Sequence, residues 1–223
     1  MSPFDTAAKG ALLFDLDNLV ASARRLYYAA LQEIVSAQGK ELTPVLFSRF
    51  FVTGNGAALP SLYATLGLPA DAADGIDGQI AETVTPRLAA STAKPDAALS
   101  AWIAAAQARG ATVVALTRLS ADAAESLLVR IGLNPETVRP FTMDEPGDPA
   151  SWGKACASFG KLPRRCVAVV TSSDAAKAAL AAHLGVVAVP DEYTDFQDFG
   201  GADAVVASLK ELDAKDYFDA IRL

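Results

Sequence analysis

From residue 95 onward strand and helix patterns alternate along this chain, and no other feature restricts its possible folds as tightly. Pro95 opens a helical pattern with Leu99, Trp102, Ile103 and Ala106 in register, stopped by Gly110. Residues 112–116 (TVVAL) read as a strand running into Thr117. A helix carrying Leu127, Leu128 and Ile131 follows and ends at Gly132. Then come a strand over 138–141, a helix over 150–159, a strand over 166–170, a helix over 174–184 and a strand over 186–189. Strands separated by helices pair in parallel through right-handed crossovers. The predicted class is therefore α/β, with a Rossmann-like parallel sheet as its core. Ligands of such sheets sit beyond the C-terminal strand ends. Asp15, Asp17, Thr117 and Ser172 all fall at such ends, so one site can gather them.

The first 91 residues follow a different pattern. Residues 11–14 are a short apolar run that ends in Asp15 and Asp17 and reads as a buried strand. Residues 21–91 carry no strand signal. In 23–38, Leu26, Tyr27, Ala30, Leu31, Ile34 and Val35 share one helical face, and Gly39 stops the pattern. Thr43 and Pro44 form a cap and first turn ahead of Leu46, Phe47, Phe50 and Phe51, a stripe that reads as helix core. The loop TGNG at 53–56 and helical patterns over 57–66 and 76–88 complete the segment. The predicted organisation is a core built from 1–20 and 92–223, with 21–91 as an all-helical cap.

Composition excludes several function classes. Of the 223 residues, 52% are apolar and 20% charged, which suits a packed core rather than a disordered chain. The net charge is −7 and no Lys/Arg run occurs, so nucleic acid is not an expected partner. No apolar run approaches the ~20 residues of a membrane span. The opening MSPFDTAAKG lacks a charged-then-apolar signal pattern, and Cys156 and Cys166 read as two reduced thiols. A cytoplasmic protein is expected. His183, the single histidine, excludes a di-histidine zinc site and reads as a helix-end residue.

Asp15-Leu16-Asp17 carries the strongest chemical signal. Two carboxylates two residues apart at a strand end point the same way. One can attack an electrophile covalently while the other works as general acid and base. Together they can hold Mg²⁺, a hard cation that prefers oxygen ligands. The alternative is a turn capped by two aspartates.

The segment FDLDNLV resembles the first motif of the haloacid dehalogenase superfamily, Asp-x-Asp-Gly-Thr or Asp-x-Asp-Gly-Val. Thr117 with SADAAESLLVRIGL resembles the second motif and its helix, and PRRCVAVVTSSDAAKAALAAHLGVVAVP the fourth. The resemblance spans nearly the whole chain and is greatest to the β-phosphoglucomutase-like phosphatases with a helical cap. It implies that Asp15 is the nucleophile forming an aspartyl-phosphate. It implies that Asp17 is the acid/base, with its carbonyl on Mg²⁺, and that Thr117 binds the transferring phosphoryl group. Asp17 favours phosphoryl chemistry over carbon–halogen cleavage, because the dehalogenase branch usually lacks the second aspartate. The implied substrate is a small phosphorylated metabolite.

The chain departs from that pattern in three places. Asn18 replaces the Gly after the second aspartate, a change that keeps access to left-handed backbone. In the third motif, MDEPGDPASWGKA, Pro146 stands where a lysine is usual, and no Lys or Arg occurs from Pro140 through Gly153. In the fourth, Thr171-Ser172 replaces Gly-Asp, which puts Ser172 at the metal carboxylate. A phosphoryl group beside two aspartates needs cations to offset repulsion. Asp174 is the candidate replacement metal ligand, and Arg118 and Asn18 are candidate substrate contacts. Lys154 reads as helix surface, and Asp144, Glu145 and Asp148 as a solvated loop or, alternatively, as carriers of a displaced metal. Two functions stay open: a Mg²⁺-dependent phosphatase, and a catalytically silent relative that binds a ligand or partner.

Overall fold

The computed structural model describes residues 10–51 and 58–221. The TGNG loop lies outside the described residues. Among those described, six strands form one all-parallel sheet: β1 (Ala11–Asp15), β2 (Thr112–Thr117), β3 (Val138–Thr142), β4 (Cys166–Val170), β5 (Gly185–Ala188) and β6 (Ala204–Val205). Their order is β3-β2-β1-β4-β5-β6, with every neighbouring pair parallel. β1 is central because it is apolar on both faces. Ala11, Leu12, Leu13 and Phe14 are all at most 1% exposed, as a strand covered on both sides requires.

Side-chain alternation splits the core into two layers. Leu12, Phe14, Val113, Ala115, Val167 and Val169 face one side. There they meet α6 (Ala97–Ala108), α7 (Ala121–Arg130) and α10 (Ala214–Ile221) through Leu99, Trp102, Leu127, Leu128 and Phe218. Ala11, Leu13, Val114, Leu116, Ala168 and Val170 face the other side. They meet α8 (Pro149–Ser158) and α9 (Ser173–Ala181) through Trp152, Ala155 and the small residues Ala175, Ala176, Ala178 and Ala179. The alanines let α9 approach the sheet closely, so its N-terminus reaches the end of β4. Cys156 and Cys166 are buried and free.

Between β1 and β2 the described chain is helical. α1 (Leu16–Leu19) is a single turn after β1, followed by α2 (Ala23–Ala37), α3 (Pro44–Phe51), α4 (Ala58–Thr65) and α5 (Ile76–Ala89), with a 3₁₀ turn over Ala70–Ala73. Ala30, Leu31, Val35, Leu42, Phe47, Leu62, Tyr63 and Ile80 form a third apolar cluster. Phe47 lies inside it as the helical spacing indicates. His183 ends α9 with φ 66°, in the left-handed conformation of a helix C-terminus, and is exposed. β6, α10 and the short 3₁₀ turns are elements the sequence patterns did not indicate. No described helix is long and apolar enough to cross a membrane.

One contact between sheet and helices has no sequence signal. After β5 the chain turns at Asp191, and Tyr193 enters the helical cluster, 5% exposed. Its ring lies 5.1 Å from that of Phe47, edge-on, and 5.5 Å from that of Tyr28. Asp191 fixes this turn by accepting from the Tyr193 N–H at 2.9 Å. A core loop thus packs into the helical layer as one of its own hydrophobic residues. Truncating a buried aromatic costs roughly 3–5 kcal/mol. Tyr193→Ala is therefore expected to destabilise the protein by about 3 kcal/mol, read as a lower urea midpoint monitored by circular dichroism.

Candidate functional site

Parallel registry places the candidate residues. Asp15 pairs with Leu116, and Phe14 pairs with Val169, so the ends of β2 and β4 flank Asp15. Sheet order reverses on either side of β1, since β2 and β3 lie to one side and β4 to β6 to the other. The crevice between β1 and β4 is thus a topological switch point, where this class of sheet places its ligands.

Asp17 sits in the turn of α1 and is 3% exposed. The Thr117 hydroxyl donates to Asp17 Oδ1 at 2.5 Å and the Arg118 N–H to Oδ2 at 2.8 Å. The Thr117 hydroxyl also accepts from the Leu119 N–H at 3.1 Å, so its single proton is committed to Asp17. Burial, and secondarily the neighbouring Asp15 carboxylate, pushes the Asp17 carboxyl up from 3.8 to about 6, against the hydrogen bonds from Thr117 and Arg118.

Asp15 is half-buried and accepts three hydrogen bonds. Its Oδ1 accepts from the Asn18 N–H at 3.0 Å. Its Oδ2 accepts from Asn18 Nδ2 at 2.9 Å and from the Thr171 hydroxyl at 2.6 Å. Asn18 lies in a helical turn, not in the left-handed conformation anticipated for a Gly replacement; the left-handed residue nearby is Ser22, at φ 52°. Asn18 therefore matters for its side chain, which bridges Asp15 to the Arg24 N–H, accepted by Asn18 Oδ1 at 3.0 Å.

The end of β4 corrects the sequence reading. Thr171, not Ser172, presents its side chain to Asp15. Ser172 is the N-cap of α9 and accepts from the Ala175 N–H at 3.4 Å. Extended backbone at Ser172 turns it away, because successive side chains alternate sides. Asp174 lies in the first turn of α9, half-buried, with its Cβ beside Gly147. Among the described residues no three Asp, Glu, His or Cys side chains gather as a metal cluster.

A small cleft of about 70 Å³ opens beside the aspartates. Asp15, Asp17, Asn18, Thr117 and Arg118 form its polar wall, and Leu116, Met143, Pro146 and Trp152 belong to its apolar wall. Pro146, at the lysine position, does line the site but brings no charge to it. Lys154 is exposed on α8, and Asp148 caps that helix by accepting from the Ala150 N–H at 3.0 Å. Sequence reasoning missed Arg24 and Asp191. Arg24 pairs with Asp191 and donates to the Thr171 hydroxyl at 3.2 Å. The only sequence signal was an arginine at the start of a helix close behind the Asp-x-Asp segment.

No protein family matches the chain by sequence, and no curated protein does. Solved structures do match. CbbY from Rhodobacter sphaeroides in complex with phosphate superposes with a TM-score of 0.69 at 22% identity, over 93% of this chain and 99% of that one. A HAD family hydrolase from Deinococcus radiodurans with bound phosphate and sodium gives 0.67 at 19% identity, over 96% and 97%. A putative β-phosphoglucomutase from Thermotoga maritima gives 0.61 at 17%, over 96% and 98%. The chain has the haloacid dehalogenase fold. The class expected from the sequence, a Rossmann-like sheet with an inserted helical cap, is the one observed.

The magnesium expected for a haloacid dehalogenase-fold phosphatase finds a poor set of donors here. Mg²⁺ needs near-octahedral oxygens with lone pairs to spare. Asp15 accepts from three protein donors and keeps a single free lone pair, on Oδ1; the Asp17 carboxylate is buried against Thr117 and Arg118; and the residue after β4 offers a hydroxyl already bonded on both sides. As arranged, these side chains do not fit the ion.

The raised Asp17 carboxyl carries a stability consequence. Between pH 3.8 and about 6 the folded protein keeps a proton that the unfolded chain releases. Stability therefore falls as pH rises through that window, by about 3 kcal/mol in all. Asp17→Asn is expected to remove this slope, so that urea unfolding from pH 4 to pH 7 shows a flatter dependence than wild type.

Proposed function

We propose that the chain is a phosphoric monoester hydrolase acting on a small phosphorylated metabolite, with Asp15 as nucleophile and Asp17 as general acid and base. The observation that carries this reading is the pair itself. Two adjacent carboxylates have environments that separate their tasks, Asp17 being buried and pushed up to about 6 beside Asp15. A carboxyl of that kind holds a proton for a leaving alcohol in mildly acidic solution and takes one back in the next step.

Asp15 Oδ1, which accepts one hydrogen bond where Oδ2 accepts two, attacks phosphorus. The O–P ester bond breaks, and Asp17 gives its proton to the departing oxygen. An acyl-phosphate on Asp15 remains. Asp17 then removes a proton from water, whose oxygen attacks phosphorus, releasing phosphate and restoring Asp15. Thr117 positions Asp17, and Arg118 and Asn18 border the cleft that receives the phosphoryl group. Residues 21–91 act as the cap over the core of 1–20 and 92–223, and their surface selects the rest of the substrate. The phosphate held by CbbY and the D. radiodurans hydrolase supports a phosphorylated ligand.

A second reading, binding without turnover, is favoured by the three donors that engage Asp15 and by the uncharged Met143, Pro146 and Trp152 wall. A phosphate-release assay over a panel of phosphomonoesters separates the two. Asp15→Asn should fold and lose all activity above background, since an amide forms no acyl-phosphate. Asp17→Asn should lower the rate by about 10²–10⁴, and the wild-type kcat/KM should fall as pH rises past about 6. Equal phosphate release by wild type and Asp15→Asn would remove the hydrolase reading.

A further inference from the structure

We infer that Arg24, held against Thr171 beside Asp15, is the resident cation of the switch-point crevice and occupies the hydroxyl that a divalent ion would need there, so that this site works with its anionic groups without metal. The inference rests on the site reading above but not on turnover.

A cation at the end of β1 and β4 can draw on two side chains, that of Asp15 and that of the residue following β4. The second is Thr171, 2% exposed. Its hydroxyl has one proton, donated to Asp15 Oδ2 at 2.6 Å, and it accepts Arg24 Nη2 at 3.2 Å. The positive charge of the guanidinium therefore reaches the Asp15 carboxylate through one polarised hydroxyl. A guanidinium is charged at every accessible pH and presents several donors in a fixed plane. It can thus play this part permanently.

Arg24 is held from three directions. Its N–H donates to Asn18 Oδ1 at 3.0 Å, Nη1 pairs with Asp191 and Nη2 meets Thr171. Its side chain is only 14% exposed. Asp191 is itself fixed, because the turn it begins carries Tyr193 into the helical cluster. Asn18, the replacement for the usual glycine, ties Asp15 to the Arg24 backbone. The two departures at positions 18 and 171 are thus parts of one arrangement that includes Arg24 and Asp191.

A divalent ion entering here would have to break the Thr171–Asp15 bond and lie close to a partly buried guanidinium. Like charges at that separation repel strongly once water is excluded. Mg²⁺ also gives up its hydration water reluctantly, and here it would gain few free oxygens in return.

Calorimetric titration with Mg²⁺ tests this on wild type, Arg24→Lys, Arg24→Gln and Arg24→Gln/Thr171→Asp, each checked for folding by circular dichroism. Wild type and Arg24→Lys should give no saturable heat at millimolar Mg²⁺. Arg24→Gln should bind measurably, and the double variant should bind at least about a hundredfold tighter than wild type, since it removes a cation and adds a carboxylate ligand. Saturable Mg²⁺ binding by wild type overturns the inference. So does a folded double variant that binds no better than wild type. If the double variant does not fold, Arg24→Gln decides alone: a gain over wild type supports the inference and no gain overturns it. Phosphate release measured in EDTA and in Mg²⁺ keeps the two claims apart. Release that requires Mg²⁺ overturns the metal-free site and leaves the hydrolase reading intact. No release in either medium, with Mg²⁺ binding as predicted, removes the hydrolase reading and leaves Arg24 in its role.

Discussion

The Asp15 carboxylate terminates the central strand, and three donors, two local and one distant in sequence, close on it. Two come from Asn18, one turn further on, and one from Thr171, beyond β4. That convergence needs β1 between β2 and β4, which needs a strand apolar on both faces, which residues 11–14 supply. A charge at the edge of so apolar a layer is stable only if its oxygens are satisfied. The loops at the C-terminal end of the sheet are organised around meeting that need.

Asp17 meets a different environment two residues on. It points to the β2 side, where one hydroxyl and one backbone N–H engage it and burial pushes its carboxyl up to about 6. The pair therefore divides across β1. Toward β2 lies a protonatable acid beside a small, half-apolar cleft. Toward β4 lies an anion bound through Thr171 to Arg24. In the haloacid dehalogenase fold this division places opposite chemical demands on the two sides of one strand, and the uncharged Pro146 leaves the β2 side without a lysine of its own.

The helical layer is joined to the core at several places, through Leu26, Leu88 and Ala89 against the sheet-side cluster and, after β5, through a turn that combines polar and apolar contacts. Arg24 and Arg25, at the start of α2, pair with Asp191 and Glu192 after β5, and Tyr193 follows them into the aromatic cluster with Tyr28 and Phe47. Exposed pairs such as Arg25–Glu192 contribute little. The buried ring contributes more here than that pair does. Because the same short turn holds both Asp191 and Tyr193, the packing of the helices and the position of the guanidinium beside Thr171 are fixed together.

Much of this was legible in the sequence. The change from purely helical patterning to strand–helix alternation gave the fold class, since periodicity reports which faces are buried whatever their partners are. The spacing of Asp15 and Asp17 and the strand-end place of Thr117 marked the site, because parallel registry brings strand ends together. The identity of the side chain after β4 was not legible. Thr171 and Ser172 are both small hydroxyl residues, and a one-residue shift in where the strand stops decides which faces Asp15 and which caps α9. Nor was the partner of Arg24 legible. It starts a helix far in sequence from Asp191 and Thr171, and no local pattern records a contact across some 150 residues. Local sequence determines burial and periodicity. Which charges meet is decided only when the sheet order and the docking of the helices bring their atoms within hydrogen-bond reach.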